Sequence, residues 1–207
     1  MITLYGKAAS RTSRNLWALE ELGIAYTHVP FDYLKGDTKT AEYLNINPAG
    51  KVPALVDDDV VMTESLGMNL YIAHNYGVGT LWPEGKAARA KCIQWTLWAA
   101  TELEPPSVGR LIEFNFKKEH ERDQKNIDAL AERTKGPLNV LNTALLRSVY
   151  LAGPTFTIAD LNVAAVCEYL TRTKFDLAPW PAVNKWVSEC LGRPANQKVN
   201  AMKLAPS

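Results

Sequence analysis

Only three cysteines occur in the chain, Cys92, Cys167 and Cys190. An odd number at wide spacing supports neither a disulfide framework nor a zinc site, so each reads as a small buried hydrophobe, and a reducing, cytoplasmic setting is expected. No apolar run approaches the ~20 residues that a membrane span needs. The opening MITLYGKAAS has no charged region followed by a long apolar stretch, so no signal peptide is expected. Charge of one sign is also missing: the formal net charge is +1, which removes the electrostatic basis for nucleic acid or anionic lipid as a partner. Internal repeats and low-complexity tracts are absent. What is present is an ordinary composition for a folded soluble protein, 47% hydrophobic and 22% charged. The 207 residues suffice for one large domain or two small ones.

The first part of the chain mixes short strand patterns with helices. Residues 2–5 form a β run. Over 13–22, Leu16, Leu19 and Leu22 share a helical face, and Gly23 supplies a stop. Residues 26–31 read as a second strand, so the order is strand, helix, strand, a unit whose strands run parallel. In VPALVDDDVVM, two apolar runs flank Asp57, Asp58 and Asp59, which predicts a hairpin. A helix over 64–76 follows. Glycine and proline in GVGTLWPEG mark a linker. From Lys86 onward the pattern is helical, with four or five helices punctuated by Pro105 and Pro106, Gly136 and Pro137, Gly153 and Pro154, and Pro179 and Pro181. Gly136–Pro137 is expected to kink or break the helix that contains it. The expected organisation is an α/β domain over 1–78 and an all-α domain over 86–207.

Four stretches place polar groups where chemistry can occur. In NPAGKVPAL, Pro53 cannot donate to a ladder. Either the Val52–Pro53 bond is trans and the proline simply opens a strand, or it is cis and exposes the amide and carbonyl of Val52 to an extended peptide. At Thr63, Glu64 and Ser65, either Thr63 caps the next helix with Glu64 in its first turn, or Glu64 and Ser65 grip the ammonium and carboxylate of an amino-acid head group. In YGKAASRTSR, Ser10 stands at a helix entrance where its hydroxyl and free amides can face a ligand. Thr12 and Ser13 serve equally well as caps there, and the phenol of Tyr5 can donate to a thiolate. Thr157 and Asp160 have the spacing of a capping box, flanked by Phe156 and Leu161 at the staple positions, which is a folding signal.

In this order, with KVPAL followed by Glu64–Ser65 eleven residues after Pro53, the chain resembles the soluble glutathione S-transferases of the bacterial, serine-using type over essentially its whole length. RPANQKVNA also resembles the last helices of bacterial members. The resemblance implies an α/β thioredoxin-like N-terminal domain that binds glutathione, followed by an all-α C-terminal helical domain that completes the electrophile site. It implies that Val52 pairs its backbone with the cysteinyl part of glutathione ahead of a cis Pro53, and that Glu64 and Ser65 hold the γ-glutamyl end. Lys39, eight residues before Asn47, and the neighbouring Lys51 are implied at the glycyl carboxylate. The catalytic serine of such members falls at Ser10, five residues beyond Tyr5, with Ser13 the next alternative. Tyr5 aligns with the phenol of tyrosine-using classes. No cysteine lies near the turn, unlike the thiol–disulfide-exchanging classes, and the serine-and-cysteine signature of maleylacetoacetate isomerases is missing.

The implied reaction joins glutathione, a co-substrate acting without a metal, to a small hydrophobic electrophile. A thiol with pKa near ~8.5 is mostly protonated at neutral pH. Lowering that value by ~2 units needs about 2.7 kcal/mol. One hydrogen bond to a charged group contributes roughly 1.5–3 kcal/mol, so Ser10 with adjacent amides suffices. The electrophile is expected over the first long helix of the second domain, where Trp95, Trp98 and Glu102 follow i, i+3, i+7 spacing. The tryptophans equally suit core or dimer contacts, and members of the family pair as homodimers. Two rivals remain: a glutathione-dependent peroxidase, reductase or dehalogenase on the same scaffold, and a non-enzymatic glutathione-binding stress protein. Retention of Ser10, Lys39, Val52–Pro53 and Glu64–Ser65 speaks against the second.

Overall fold

Alternation in Ile2–Tyr5 (β1) buries Ile2 and Leu4 on one face of a four-stranded sheet. This computed structural model describes residues 1–204. Tyr26–Val29 (β2) runs parallel to β1, while Ala54–Asp57 (β3) lies antiparallel on its other side and pairs with Val60–Thr63 (β4), giving the order β2-β1-β3-β4. Leu4 faces Leu55 in register, and both are fully buried. β2 stops before the expected residue 31 because Pro30 has no N–H for the ladder. Thr12–Leu22 (α1) joins the parallel strands and buries Leu16 and Leu19.

The stretch between β2 and β3 carries two short elements that the pattern did not mark. These are a 3₁₀ turn, Asp37–Lys39, and Ala41–Ile46 (α2), capped by Thr40, whose hydroxyl accepts from the amide of Tyr43 at 3.3 Å. The expected hairpin is present, with Asp58 at φ 53° in its turn. Asp57 instead ends β3 and is buried, accepting from the phenols of Tyr71 (2.9 Å) and Tyr76. Both tyrosines belong to Ser65–Tyr76 (α3), so this carboxylate ties the sheet to that helix.

One close approach positions the turn after β1. Gly6 has φ 124°, and a β-carbon on it would fall 2.2 Å from Thr12 Oγ1 and 2.8 Å from Val52 Cβ. Only glycine permits that conformation and that contact. The start of α1 is thereby held against the segment that precedes β3.

The chain divides into two compact units: Met1–Trp82 together with the segment from Arg193 onward, and Pro83–Gly192. The sequence expectation placed everything from 86 onward in the helical domain. The last helix, Pro194–Leu204 (α9), instead packs on α1, burying Val199 and Asn196. Arg193 and Lys198 pair there with Glu21 and Glu20. The charges that select this partner sit on the face of α1 beyond its apolar stripe.

The second unit contains Lys86–Trp98 (α4), a π-helical turn Ala99–Leu103, Glu104–Asn115 (α5), Gln124–Leu145 (α6), Ile158–Arg172 (α7) and Pro181–Leu191 (α8). With α9, that makes six α-helices from Lys86 among the described residues, rather than four or five. Pro105 and Pro106 do not interrupt the run, because they occupy the first turn of α5, where an N–H is dispensable. Pro137 lies inside an unbroken α6. The one bond it removes is outweighed by burial of Ile127, Leu130, Leu138 and Leu141 along the same helix. α7 is buried nearly all round and forms the centre of the unit. Its capping box is formed, and Asp160 accepts from the amide (3.0 Å) and hydroxyl (3.0 Å) of Thr157, the amide of Leu151 (2.9 Å) and the indole of Trp186 (3.2 Å). All three cysteines are buried free thiols, and burial pushes Cys167 up to about 12. Among the described residues, no helix is long and apolar enough to cross a membrane.

Two stability predictions follow from buried carboxylates. Removing Asp160 orphans four donors in the core, so Asp160→Ala should cost about 3 kcal/mol or more, read as a loss in chemical denaturation. Glu113 is buried and accepts from Lys117 (2.6 Å), Asn126 (2.9 Å) and the Asp123 amide (3.1 Å), and the Lys117 ammonium foremost holds its carboxyl down to about 2. A carboxyl depressed in the folded state stabilises above its unfolded pKa and loses that contribution as pH falls through the folded one. The melting-temperature gap between the parent and Glu113→Gln should therefore be widest above about pH 5 and close as the pH approaches 2. A gap that stays constant on acidification would exclude this role.

Candidate functional site

The turn between β1 and α1 carries Ser10. Its hydroxyl lies 2.8 Å from the carbonyl of Lys7 and 2.8 Å from Thr12 Oγ1, and it accepts from the Thr12 amide at 3.2 Å. Ser10, rather than Thr12 or Ser13, is thus the hydroxyl that accepts from the first amide of α1. Ser13 lies in the first turn, its amide bonded to the Ser10 carbonyl at 3.1 Å. The ring of Tyr5 packs edge-on against Phe31 (5.5 Å) and Tyr43 (6.0 Å) in an aromatic cluster.

The Gly6 contact brings this turn against Val52. The Val52–Pro53 bond is cis. Among the described residues, no hydrogen bond engages the backbone amide or carbonyl of Val52. The loop leading to it is held from behind: the carbonyl of Lys51 accepts from the phenol of Tyr43 (2.6 Å) and the amide of Asn47 (2.7 Å), both residues buried. The Lys51 side chain is exposed. Lys39, exposed on the 3₁₀ turn, reaches the same loop, since a β-carbon on Gly50 would lie 2.8 Å from its Nζ and 3.1 Å from the Thr38 carbonyl. Tyr43 and Asn47 were not singled out by sequence. Their signal is the Asn-Pro turn and a lone tyrosine on a short helix.

Glu64 occupies the position before α3 with φ 69° and ψ 95°, and its side chain makes no capping bond. Thr63, offered as a cap, ends β4 instead. A non-glycine residue at positive φ costs on the order of 1–3 kcal/mol and persists where the surroundings enforce it, which is a mark of functional sites. Here the carbonyl of Glu64 accepts from the Met68 amide at 2.8 Å, and the side chain stays exposed.

Ser65 is buried at the first position of α3, beside amides that the helix itself leaves unpaired. Its hydroxyl accepts from the guanidinium of Arg14 at 3.1 Å, so its own proton is left to donate outward. Arg14 is buried on α1, and its neighbour Asn15 donates to the Ser65 carbonyl (2.8 Å) and to Asn69 (2.7 Å), while Asn69 donates to the Arg14 carbonyl (3.1 Å). A buried cation next to a helix N-terminus favours a negative group at Ser65. Arg14 escaped the sequence reading. Its signal is a cation in the first turn of a helix, where the helix dipole disfavours it.

In the helical unit, Trp95 is buried and packs edge-on against half-buried Trp98 at 4.9 Å. The π turn follows Trp98, so constant α-helical spacing does not extend to Glu102, which is exposed. The first unit therefore sets Thr12, the hydrogen-bonded neighbour of Ser10, and Val52 on either side of Gly6, brings Lys39 to the Lys51 loop through Gly50, and ties Ser65 to α1 through Arg14.

Comparison with known proteins gives this arrangement a lineage. Residues 4–84 match the family model "Glutathione S-transferase, N-terminal domain", and residues 105–194 match "Glutathione S-transferase, C-terminal domain". Glutathione S-transferase GstB of Escherichia coli (strain K12) is 31% identical over 202 residues, covering 96% of this chain and 97% of its own. Glutathione S-transferase 1 of Zea mays is 34% identical over 214 residues, covering 99% and 97%. Among solved structures, glutathione transferase F7 from Populus trichocarpa superposes with a TM-score of 0.90 at 28% identity, covering 99% of this chain and all of that one. The theta class enzyme of Xanthomonas axonopodis pv. citri, solved with glutathione bound, gives 0.87 at 28% identity, with 95% of each chain covered. With both domains matched and relatives aligned from end to end, the chain belongs to the glutathione S-transferase family.

Proposed function

We propose that this protein is a glutathione transferase that binds the tripeptide in the first unit and uses Ser10 to hold its sulfur as a thiolate for attack on small electrophiles. The observation that supports the reading is the contact around Gly6, which brings Thr12, the hydrogen-bonded neighbour of Ser10, close to the Val52 side chain. A cysteinyl segment paired with Val52 like an added strand would have its sulfur within reach of the α1 entrance. Glu64 would take the γ-glutamyl ammonium, and Ser65, with Arg14 behind it, the carboxylate. Lys39 and Lys51 would meet the glycyl end. The thiol proton leaves to water, the sulfur lone pair forms a bond to the electrophilic carbon, and the leaving group departs with its own electron pair. Ser10 donates to the sulfur throughout the ionised stage, and the positive end of α1 adds to its stabilisation.

Conjugation is favoured over disulfide exchange because the three cysteines are buried in the helical unit, far in sequence from the serine turn. The electrophile is expected to meet Trp98, with Glu102 as a further contact. A homodimer fits exposed Ile93 and Leu97, one turn apart on α4, and a cytoplasmic setting fits the free thiols.

Two measurements test this reading. Calorimetry should detect glutathione binding, and Glu64→Ala should weaken it by about 1.5–3 kcal/mol through loss of a charge-assisted bond. Binding undetectable at millimolar glutathione in the parent would refute the site. In a pH–rate profile with a chlorinated nitrobenzene, Ser10→Ala should raise the midpoint and lower the rate at neutral pH roughly 10- to 150-fold. If Tyr5→Phe or Ser13→Ala has that effect and Ser10→Ala does not, the activating residue is misassigned.

A further inference from the structure

The hydroxyls of Ser10 and Thr12 lie 2.8 Å apart, and their neighbours decide which one donates. Around Ser10 Oγ stand the Lys7 carbonyl at 2.8 Å, which can only accept, and the Thr12 amide at 3.2 Å, which can only donate. Thr12 is fully buried, and among the described residues its hydroxyl has Ser10 as its hydrogen-bond partner. A buried hydroxyl that fails to donate leaves a polar hydrogen unsatisfied. Thr12 therefore donates to Ser10 Oγ. Both lone pairs of Ser10 are then filled, by the hydroxyl and the amide of Thr12, and its single proton points to the Lys7 carbonyl.

We infer that Thr12 is a positioning residue of the transferase site, whose hydroxyl fixes Ser10 as a donor and leaves its proton free to turn from the Lys7 carbonyl to the incoming sulfur. This rests on the reading of Ser10 as the thiolate-holding group. On binding, the Ser10 hydroxyl rotates about its Cβ–Oγ bond, and Lys7 gives up one accepted hydrogen bond. No covalent bond changes in that rotation, and the thiol proton still leaves to water. Two donors on Ser10 Oγ withdraw electron density from it, so its own O–H becomes a stronger donor to a charged sulfur. Thr12 has little room to swing aside, because its side chain is fully buried and its hydroxyl oxygen packs against Gly6. Of the hydroxyls in this turn, Thr12 thus has a role distinct from capping: it acts on the sulfur only through Ser10.

The test is a pH profile of kcat/KM on the full chain, with glutathione and a chlorinated nitrobenzene, for Thr12→Val, Thr12→Ala, Thr12→Ser and Ser10→Ala. Thr12→Val should raise the midpoint by about half a pH unit, a roughly threefold loss of ionisation, with KM for glutathione unchanged. Thr12→Ser should restore the parental midpoint. Thr12→Ala gives the same readout should the valine methyl lower the melting temperature. If both hydroxyl-deleting variants keep the parental midpoint while Ser10→Ala raises it, the role of Thr12 is wrong and that of Ser10 stands. A loss of rate that is equal at every pH and not restored by Thr12→Ser marks a structural residue and overturns the inference. If Ser10→Ala also keeps the parental midpoint, the Ser10 reading falls, and this inference with it.

Discussion

A β-carbon on Gly6 would collide with Thr12 on one side and Val52 on the other. That absent atom lets three pieces of chain meet: the end of β1, the entrance of α1 and the segment before β3. Each alone is unremarkable in chemistry, being a turn, a helix cap and an X–Pro dipeptide. Brought together, they hold the hydroxyls at the α1 entrance near Val52, whose own amide and carbonyl no hydrogen bond engages among the described residues. The rest of the first unit keeps this contact fixed. The sheet anchors β1 and β3, and Tyr43 and Asn47 brace the loop before Val52.

The second support is a polar layer between α1 and α3. Arg14, Asn15, Ser65 and Asn69 are all buried there and are joined by directed hydrogen bonds. An apolar interface would pack the two helices at several registers, whereas unpaired polar groups in such a layer are costly, so the network favours one. That register places the first turn of α3, and with it Glu64 and Ser65, relative to the serine turn at the head of α1. The strained backbone at Glu64 is held at the edge of this same layer, so the energy stored in one residue is opposed by bonds made one and five positions further along, at Ser65 and Asn69.

Much of this was legible in sequence, and the failures share a cause. β1, the Asp-rich hairpin and the capping box at Thr157 and Asp160 are encoded by local pattern, and each is found. The site motifs at Ser10, Val52–Pro53 and Glu64–Ser65 were visible only as residue types in order. Their meeting depends on contacts across the unit, through Gly6 and Arg14, that no local window holds. α2 went unmarked because six residues stabilised by one cap and one buried tyrosine leave no periodicity. α6 continues unbroken through Pro137 because burial along it outweighs one missing bond. The positive φ of Glu64 has no sequence signature at all.

The return of α9 to α1 makes the first unit discontinuous along the chain. On the ribosome, residues up to 82 are available long before the segment that covers the outer face of α1. At roughly 5–20 residues per second, the intervening helical unit takes on the order of ten seconds to emerge. During that interval Glu20 and Glu21 lack the cations of Arg193 and Lys198, and the patch later covered by Val199 stands open to water. Of the two units, the discontinuous one therefore begins to emerge before the helical unit and is completed after it, and its final closure is a long-range docking step that follows synthesis of the helical unit.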